Sequence, residues 1–247
     1  AEAPRNARFR GPGRASPTGV RTGRLLLLAG CAQHVLRPQI NDATIRLFAR
    51  GGIDVVVANG AGCCGALSQH IGREEEAVKF ARANVAAWSK EIAKGGVDAV
   101  ITIKSLGGTT VKDYGHLLRH ETEFAKRAKD IAAMAKDVTE FLDGYDFGAP
   151  KRWSSLKVAY HSACSLQHGQ RVTTQPKTLL KKAGFTVLDA PGHSKGHVVF
   201  WREADGVLIL GDVLNNMDIF TGIPGLREPK KAVTPDPGTN RTSIRKL

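Results

Sequence analysis

The sequence predicts an α/β fold: a parallel sheet built from βαβ units, followed by a C-terminal antiparallel β fragment. Three observations carry this. Short apolar runs of strand length alternate with longer segments of helical periodicity, the pattern of parallel units whose helices cover the sheet. Two of the helical segments stop at glycine pairs, Gly51-Gly52 and Gly95-Gly96, as helix ends do. Beyond about Pro191 the texture changes, and two apolar runs are joined by Glu203-Ala204-Asp205-Gly206, an Asp-Gly hairpin signal.

The elements follow in order. Residues 1–23 form a Pro/Gly-rich arm that reads as disordered or wrapping. Arg24 to Ala29 is a buried-strand run, and Pro38 to Arg50 carries helical periodicity through Ile40, Ala43, Ile45, Leu47 and Phe48. Ile53 to Ala58 is a second strand. Glu74 to Lys94 makes a long amphipathic helix, and Val97 to Ile103 a third strand. Helices are expected near Val111 to Leu118 and from Glu121 to Leu142. A loop then leads to a strand at Lys157 to Tyr160, a helix at Lys177 to Ala183 and a strand at Phe185 to Leu188. His197 to Arg202 and Val207 to Leu210 form the hairpin, and Asn240 to Leu247 a last helix.

Composition narrows the function classes. The chain has 247 residues, 42% of them hydrophobic and 24% charged, which is ordinary globular composition. The net charge of +13 invites a nucleic-acid reading. Its densest part is the arm, where six arginines up to Arg24 face only Glu2. Aromatics make up 6% and no nucleic-acid module is recognisable, so no nucleic-acid partner is expected. No apolar run reaches the roughly 18 residues of a membrane span. Four cysteines, two of them adjacent, do not make a secreted disulfide framework. The expected location is the cytoplasm, with any membrane contact peripheral, at the inner membrane, through a partner.

The cysteines have a pattern. Cys31 follows the first apolar run, and Cys63-Cys64 follows the second in Gly-Ala-Gly-Cys-Cys-Gly. Cys164 likewise follows the strand at Lys157 to Tyr160. A comparable distance beyond it stands Pro191-Gly192-His193-Ser194-Lys195-Gly196-His197, where a repeat would place a second Cys-Cys-Gly. In parallel sheets, sites gather beyond the carboxyl ends of the strands, and these cysteines sit there. Thiolates converging from loops suit an iron–sulfur cluster. Cys31 and Cys164 also fit a blander role as small apolar residues.

Residues 24–190 resemble the cysteine-rich CCG domain family, and within it the iron–sulfur subunit of glycolate oxidase. The resemblance rests on Ala29-Gly30-Cys31-Ala32-Gln33, on Gly62-Cys63-Cys64-Gly65-Ala66-Leu67, on Thr109 to Gly115, and on Tyr160-His161-Ser162-Ala163-Cys164 continuing to Gln170. It implies an electron-transfer role and not catalysis. Electrons would come from flavin-containing subunits that oxidise glycolate to glyoxylate, with Cys31, Cys63, Cys64 and Cys164 on the cluster side. The family's pattern has a Cys where this chain has Gly107, and a second Cys-Cys-Gly where this chain has none. The implied ligand set is therefore incomplete.

Residues 191–247 resemble a fragment of a metallo-β-lactamase-fold hydrolase, through Pro191 to His197 and Leu210-Gly211-Asp212-Val213. This second resemblance implies zinc on His193 and Asp212, where metal-bound water becomes the nucleophile. The His-x-His signature of that family is absent from the sequence. The leading expectation is thus an iron–sulfur electron-transfer subunit, and the alternative a metal-dependent hydrolase fragment.

Overall fold

Leu25, Leu26 and Leu27 are essentially solvent-free, and the strand that holds them lies at the centre of a five-stranded sheet. The computed structural model describes residues 13–16, 20–145, 157–159, 163–183, 186–188, 200–202, 207–209, 215–217, 224–228 and 234–245. The chain divides into two units, residues 1–147 and 148–247.

In the first unit the elements are β1 (Gly13–Ala15), β2 (Gly23–Leu27), α1 (Cys31–Leu36), α2 (Pro38–Arg50), β3 (Ile53–Val57), α3 (Ala66–His70) and α4 (Glu74–Ala93). They continue with β4 (Ala99–Thr102), α5 (Ser105–Lys112), α6 (Tyr114–Leu117), α7 (Ala125–Met134), β5 (Ala135–Asp137) and α8 (Val138–Leu142). The sheet order is β1-β3-β2-β4-β5. β2 runs parallel to β3 and to β4, β4 runs parallel to β5, and only β1 is antiparallel. The chain therefore moves outward from β2 to β3, then crosses back to β4. At such a reversal, the loops beyond the strands' carboxyl ends open a crevice.

Helix α4 covers the sheet with Ala77, Ala81, Val85 and Trp88, all fully buried. Trp88 stacks on Tyr114 of α6, ring centroids 6.2 Å apart. Burying each large side chain of this kind contributes about 1.5–3 kcal/mol. These residues join Leu26, Val56 and Val100 in one apolar cluster.

The structure corrects three expected helices, and part of the arm wraps onto the sheet: Gly13 to Ala15 pair with Val57 to Val55, and Arg14 and Ser16 both bond the buried Asp54 carboxylate. A buried carboxylate requires partners, and the arm supplies them alongside Arg24, whose Nε lies 3.8 Å away. The helix expected over Glu121 to Leu142 is two helices with β5 between them. Asp137 ends the strand by capping α8, accepting from the Thr139 amide while Glu140 accepts from the Asp137 amide. The helix expected near Val111 to Leu118 is divided between the end of α5, which begins at Ser105, and α6, and the α5 glycines, Gly107 and Gly108, are buried. Helix α10, expected over Asn240 to Leu247, runs over Pro237–Ile244.

In the second unit β6 (Lys157–Ala159) pairs in parallel with β7 (Thr186–Leu188), with a π-helical turn at Ser165–Gly169 and α9 (Gln175–Lys182) between them. β8 (Phe200–Arg202) and β9 (Val207–Ile209) form the antiparallel pair expected from the Asp-Gly signal. β10 (Asn215–Met217) and β11 (Pro224–Arg227) form another, and α10 follows. The fold is mixed α/β with a mostly parallel sheet.

Candidate functional site

Cys31 opens α1, just past the end of β2. Gly30 turns the chain there with φ 71°, a conformation that favours glycine. The turn is held from inside the protein. Asn41, fully buried on α2, donates to the Ala29 carbonyl at 3.0 Å, and Gln33 donates to the Asn41 side-chain oxygen at 2.5 Å. The Cys31 thiol itself is exposed.

Cys63 and Cys64 lie in the loop beyond β3. Gly65 ends the pair with φ 83°, and a Cβ there would meet the Ala77 carbonyl oxygen at 3.0 Å and its Cα at 3.1 Å. Conformation and space both demand glycine, because the loop rests directly on α4. Asn84 of α4 clamps it. Its side chain accepts from the Gly62 amide at 2.8 Å and donates to the Cys63 carbonyl at 2.8 Å and to the Tyr114 hydroxyl at 2.8 Å. The Tyr114 hydroxyl in turn donates to the Cys64 carbonyl at 2.9 Å. Asn84 and Tyr114 are both fully buried. Satisfied buried networks of this kind fix a single local geometry.

The two loops meet. The sulfurs of Cys31 and Cys63 are 3.5 Å apart, and both residues line a cavity of ≈ 190 Å³ together with Leu27, Leu28, His34 and Val57. Burial pushes the Cys63 thiol up to about 11, and the neighbouring Cys31 adds to that, while the Gly65 amide opposes it. Burial also raises Cys64 and, far more strongly, Tyr114. These thiols hold their protons at neutral pH unless a cation displaces them, and metal binding releases such protons.

Cys64, which interacts with Cys31 and Cys63, also lies beside α5. A Cβ added at Gly107 would lie 3.5 Å from the Cys64 sulfur, 3.9 Å from the Lys104 Cβ and 4.0 Å from Leu28. All three are ordinary contact distances, so a side chain has room there. Among the described residues, no three His, Cys, Asp or Glu side chains already converge on one metal position. The donor set nevertheless suits an iron–sulfur cluster in kind, since soft thiolates are its protein ligands. Three are present on two strand-end loops, and a glycine occupies the place from which a fourth would reach Cys64. Cys31, Cys63 and Cys64 are the residues that would hold it.

Residues 25–111 match the CCG cysteine-rich domain family. The match begins within β2 and ends in α5, so it contains both cysteine loops and Gly107. The chain is also similar to the glycolate oxidase iron-sulfur subunit of Escherichia coli (strain K12), 37% identical over 168 residues. A probable glycolate oxidase iron-sulfur subunit of Bacillus subtilis (strain 168) is 30% identical over 160 residues. Lactate utilization protein A of Bacillus pumilus is 24% identical over 158 residues. The aligned parts cover 68%, 64% and 62% of this chain, and 41%, 35% and 63% of the relatives. The chain thus spans well under half the length of the two glycolate oxidase subunits.

The remaining expected site residues lie elsewhere. Cys164 is in the second unit, exposed, immediately before the π-helical turn. His193 and Asp212 lie outside the described residues. The residues that sequence reasoning passed over are Asn41 and Asn84. Each is a polar side chain on the buried face of an amphipathic helix, and that misfit was the available signal. An unpartnered amide there costs about 1–3 kcal/mol, so each must find partners, which are loop backbone groups together with the Gln33 and Tyr114 side chains.

Proposed function

We propose that this chain is an iron–sulfur, electron-carrying segment of a glycolate-oxidising complex. It would take electrons from a flavin-containing subunit as glycolate becomes glyoxylate. The observation that supports this best is the meeting of Cys31 with Cys63-Cys64 beyond the carboxyl ends of two adjacent parallel strands. The glycolate assignment draws on the names of two relatives. When bound, the cluster would supply one-electron transfer. This chain's residues hold and shield: the three thiols ligate, Leu27, Leu28 and Val57 exclude water from one side, and Asn41, Asn84 and Tyr114 fix the loops. Cys164 would serve a second site only where another chain supplies its remaining ligands, in a module spanning residues 24–190 between the arm (1–23) and the C-terminal segment (191–247). No helix among the described residues is long and apolar enough to cross a membrane. We place the protein in the cytoplasm, touching the inner membrane only through a partner.

The test is anaerobic reconstitution with iron and sulfide, then mixing with a glycolate-reduced flavoprotein. The proposal expects thiolate-to-iron colour that bleaches on mixing. Colour that persists contradicts the partner, and a colourless chain contradicts the cluster. Zinc bound near one per chain without iron would favour the hydrolase alternative on His193 and Asp212, which rests on its sequence motif.

A further inference from the structure

We propose that Cys31 and Cys63 close a reversible disulfide when no metal holds them, so that the site is also a thiol–disulfide couple. All four cysteines are free, and the Cys31 and Cys63 sulfurs are already 3.5 Å apart. A disulfide bond is about 2.05 Å long, so side-chain rotation and a small loop shift must close the rest. The loops can supply that shift. Gly30 precedes Cys31, Gly60 adopts φ 90°, and nothing lies within 4 Å of a Cβ at Gly62.

The structure also selects this pair over its rival. A Cys63–Cys64 bridge would require twisting the peptide that joins them, and both that peptide and the next are held through their carbonyls. Asn84 bonds the Cys63 carbonyl and Tyr114 the Cys64 carbonyl. The Cys64 side chain is also packed against the apolar core, which limits its rotation.

The chemistry needs an oxidant, and a small disulfide such as oxidised glutathione is the class that fits. The exposed Cys31 attacks first as thiolate, giving up its proton to solvent, and one glutathione thiolate leaves. Cys63 then attacks the Cys31 sulfur, losing its thiol proton to solvent as the new bond forms, and expels the second glutathione as its thiolate. The two protein thiols are oxidised by two electrons in all, and one glutathione disulfide becomes two thiols. The product removes two of the three thiols from ligation, so metal can enter only after reduction. The disulfide does not depend on the cluster proposal; the exclusion of iron does.

The experiment treats the metal-free full-length chain with oxidised glutathione under argon, alkylates it and maps the peptides by mass. The expected result is a loss of two hydrogens, a link between the Cys31 peptide and the Cys63-Cys64 peptide, and alkylation of the other two cysteines. Cys64→Ser keeps the link, whereas Cys63→Ser loses it and carries glutathione on Cys31. Glutathione on both Cys31 and Cys63 of the unaltered chain, or a link that survives in Cys63→Ser, would overturn the proposal. Iron uptake then separates the two readings. A linked chain that takes up iron only after dithiothreitol supports both, and uptake without reductant overturns the exclusion. A link in a chain that takes up no iron even when reduced leaves the couple standing and removes the cluster.

Discussion

Two parts of this chain lay a pair of parallel strands side by side with a cysteine past the first strand. In β2 and β3 that cysteine is Cys31; in β6 and β7 it is Cys164. The pairs diverge past the second strand, where β3 leads to Cys63-Cys64 and β7 to Asp189-Ala190-Pro191-Gly192. A parallel strand pair does not by itself bring thiols together. We propose the β2–β3 end as the site because a second loop brings thiols to the first, and because buried amides on α2 and α4 hold both loops.

The comparison is broken most severely at Asn84. Replacing Asn84 by Ala leaves the Gly62 amide and the Cys63 carbonyl without their partner. Supports of this kind typically cost about 10–100-fold in metal affinity when removed, and an orphaned buried group costs about 1–3 kcal/mol of stability. Iron titration and urea unfolding of Asn84→Ala should show both losses; intact affinity would mean the loop holds itself. Asn41→Ala is expected to show the same signature at the Cys31 loop.

Gly107→Cys sharpens the comparison from the opposite side. Its Cβ would meet the Cys64 sulfur at ordinary contact distance, so the fold should be retained and iron per chain should rise. Unchanged iron would remove position 107 from the ligand set.

The smallest effect on the thiols is expected far from them. Glu91 is held below the usual carboxylate range first by Lys94 and then by Arg24. A depressed folded-state value means stability that is present above the ordinary glutamate range and lost as pH falls through the lowered value. Glu91→Gln should flatten the acid limb of stability against pH, measured by urea midpoints, and leave iron content unchanged. An unchanged acid limb would show that Glu91 does not carry it.

Much of the scaffold was legible because its signals are local. The leucines of β2, the glycine stops after α2 and α4, and the valines of β3 all follow from burial and periodicity. The break at β5 was written as Asp137-Val138-Thr139-Glu140, a capping-box signature, inside an otherwise helical pattern. The arm's strand was not legible, since Arg14 is ordered by a carboxylate 40 residues away in sequence. The thiols were legible as types and spacing. What spacing cannot say is that the Cys31 sulfur meets Cys63 while the Cys64 sulfur lies within contact of a side chain at position 107. Asn41 and Asn84 hold the backbone around those thiols, and the loop carbonyls and amide they bond are marked by no sequence pattern.

The central claim is that the β2–β3 end, and not the strand pair as such, makes a thiol site. Iron and acid-labile sulfide per chain, measured after anaerobic reconstitution of two variants, test it most directly. One replaces Cys31, Cys63 and Cys64 together by serine, and the other replaces Cys164 alone. The account predicts that the triple variant retains no iron above a folded control protein, while Cys164→Ser retains what the unaltered chain does. Equal iron in the triple variant and the unaltered chain would contradict it.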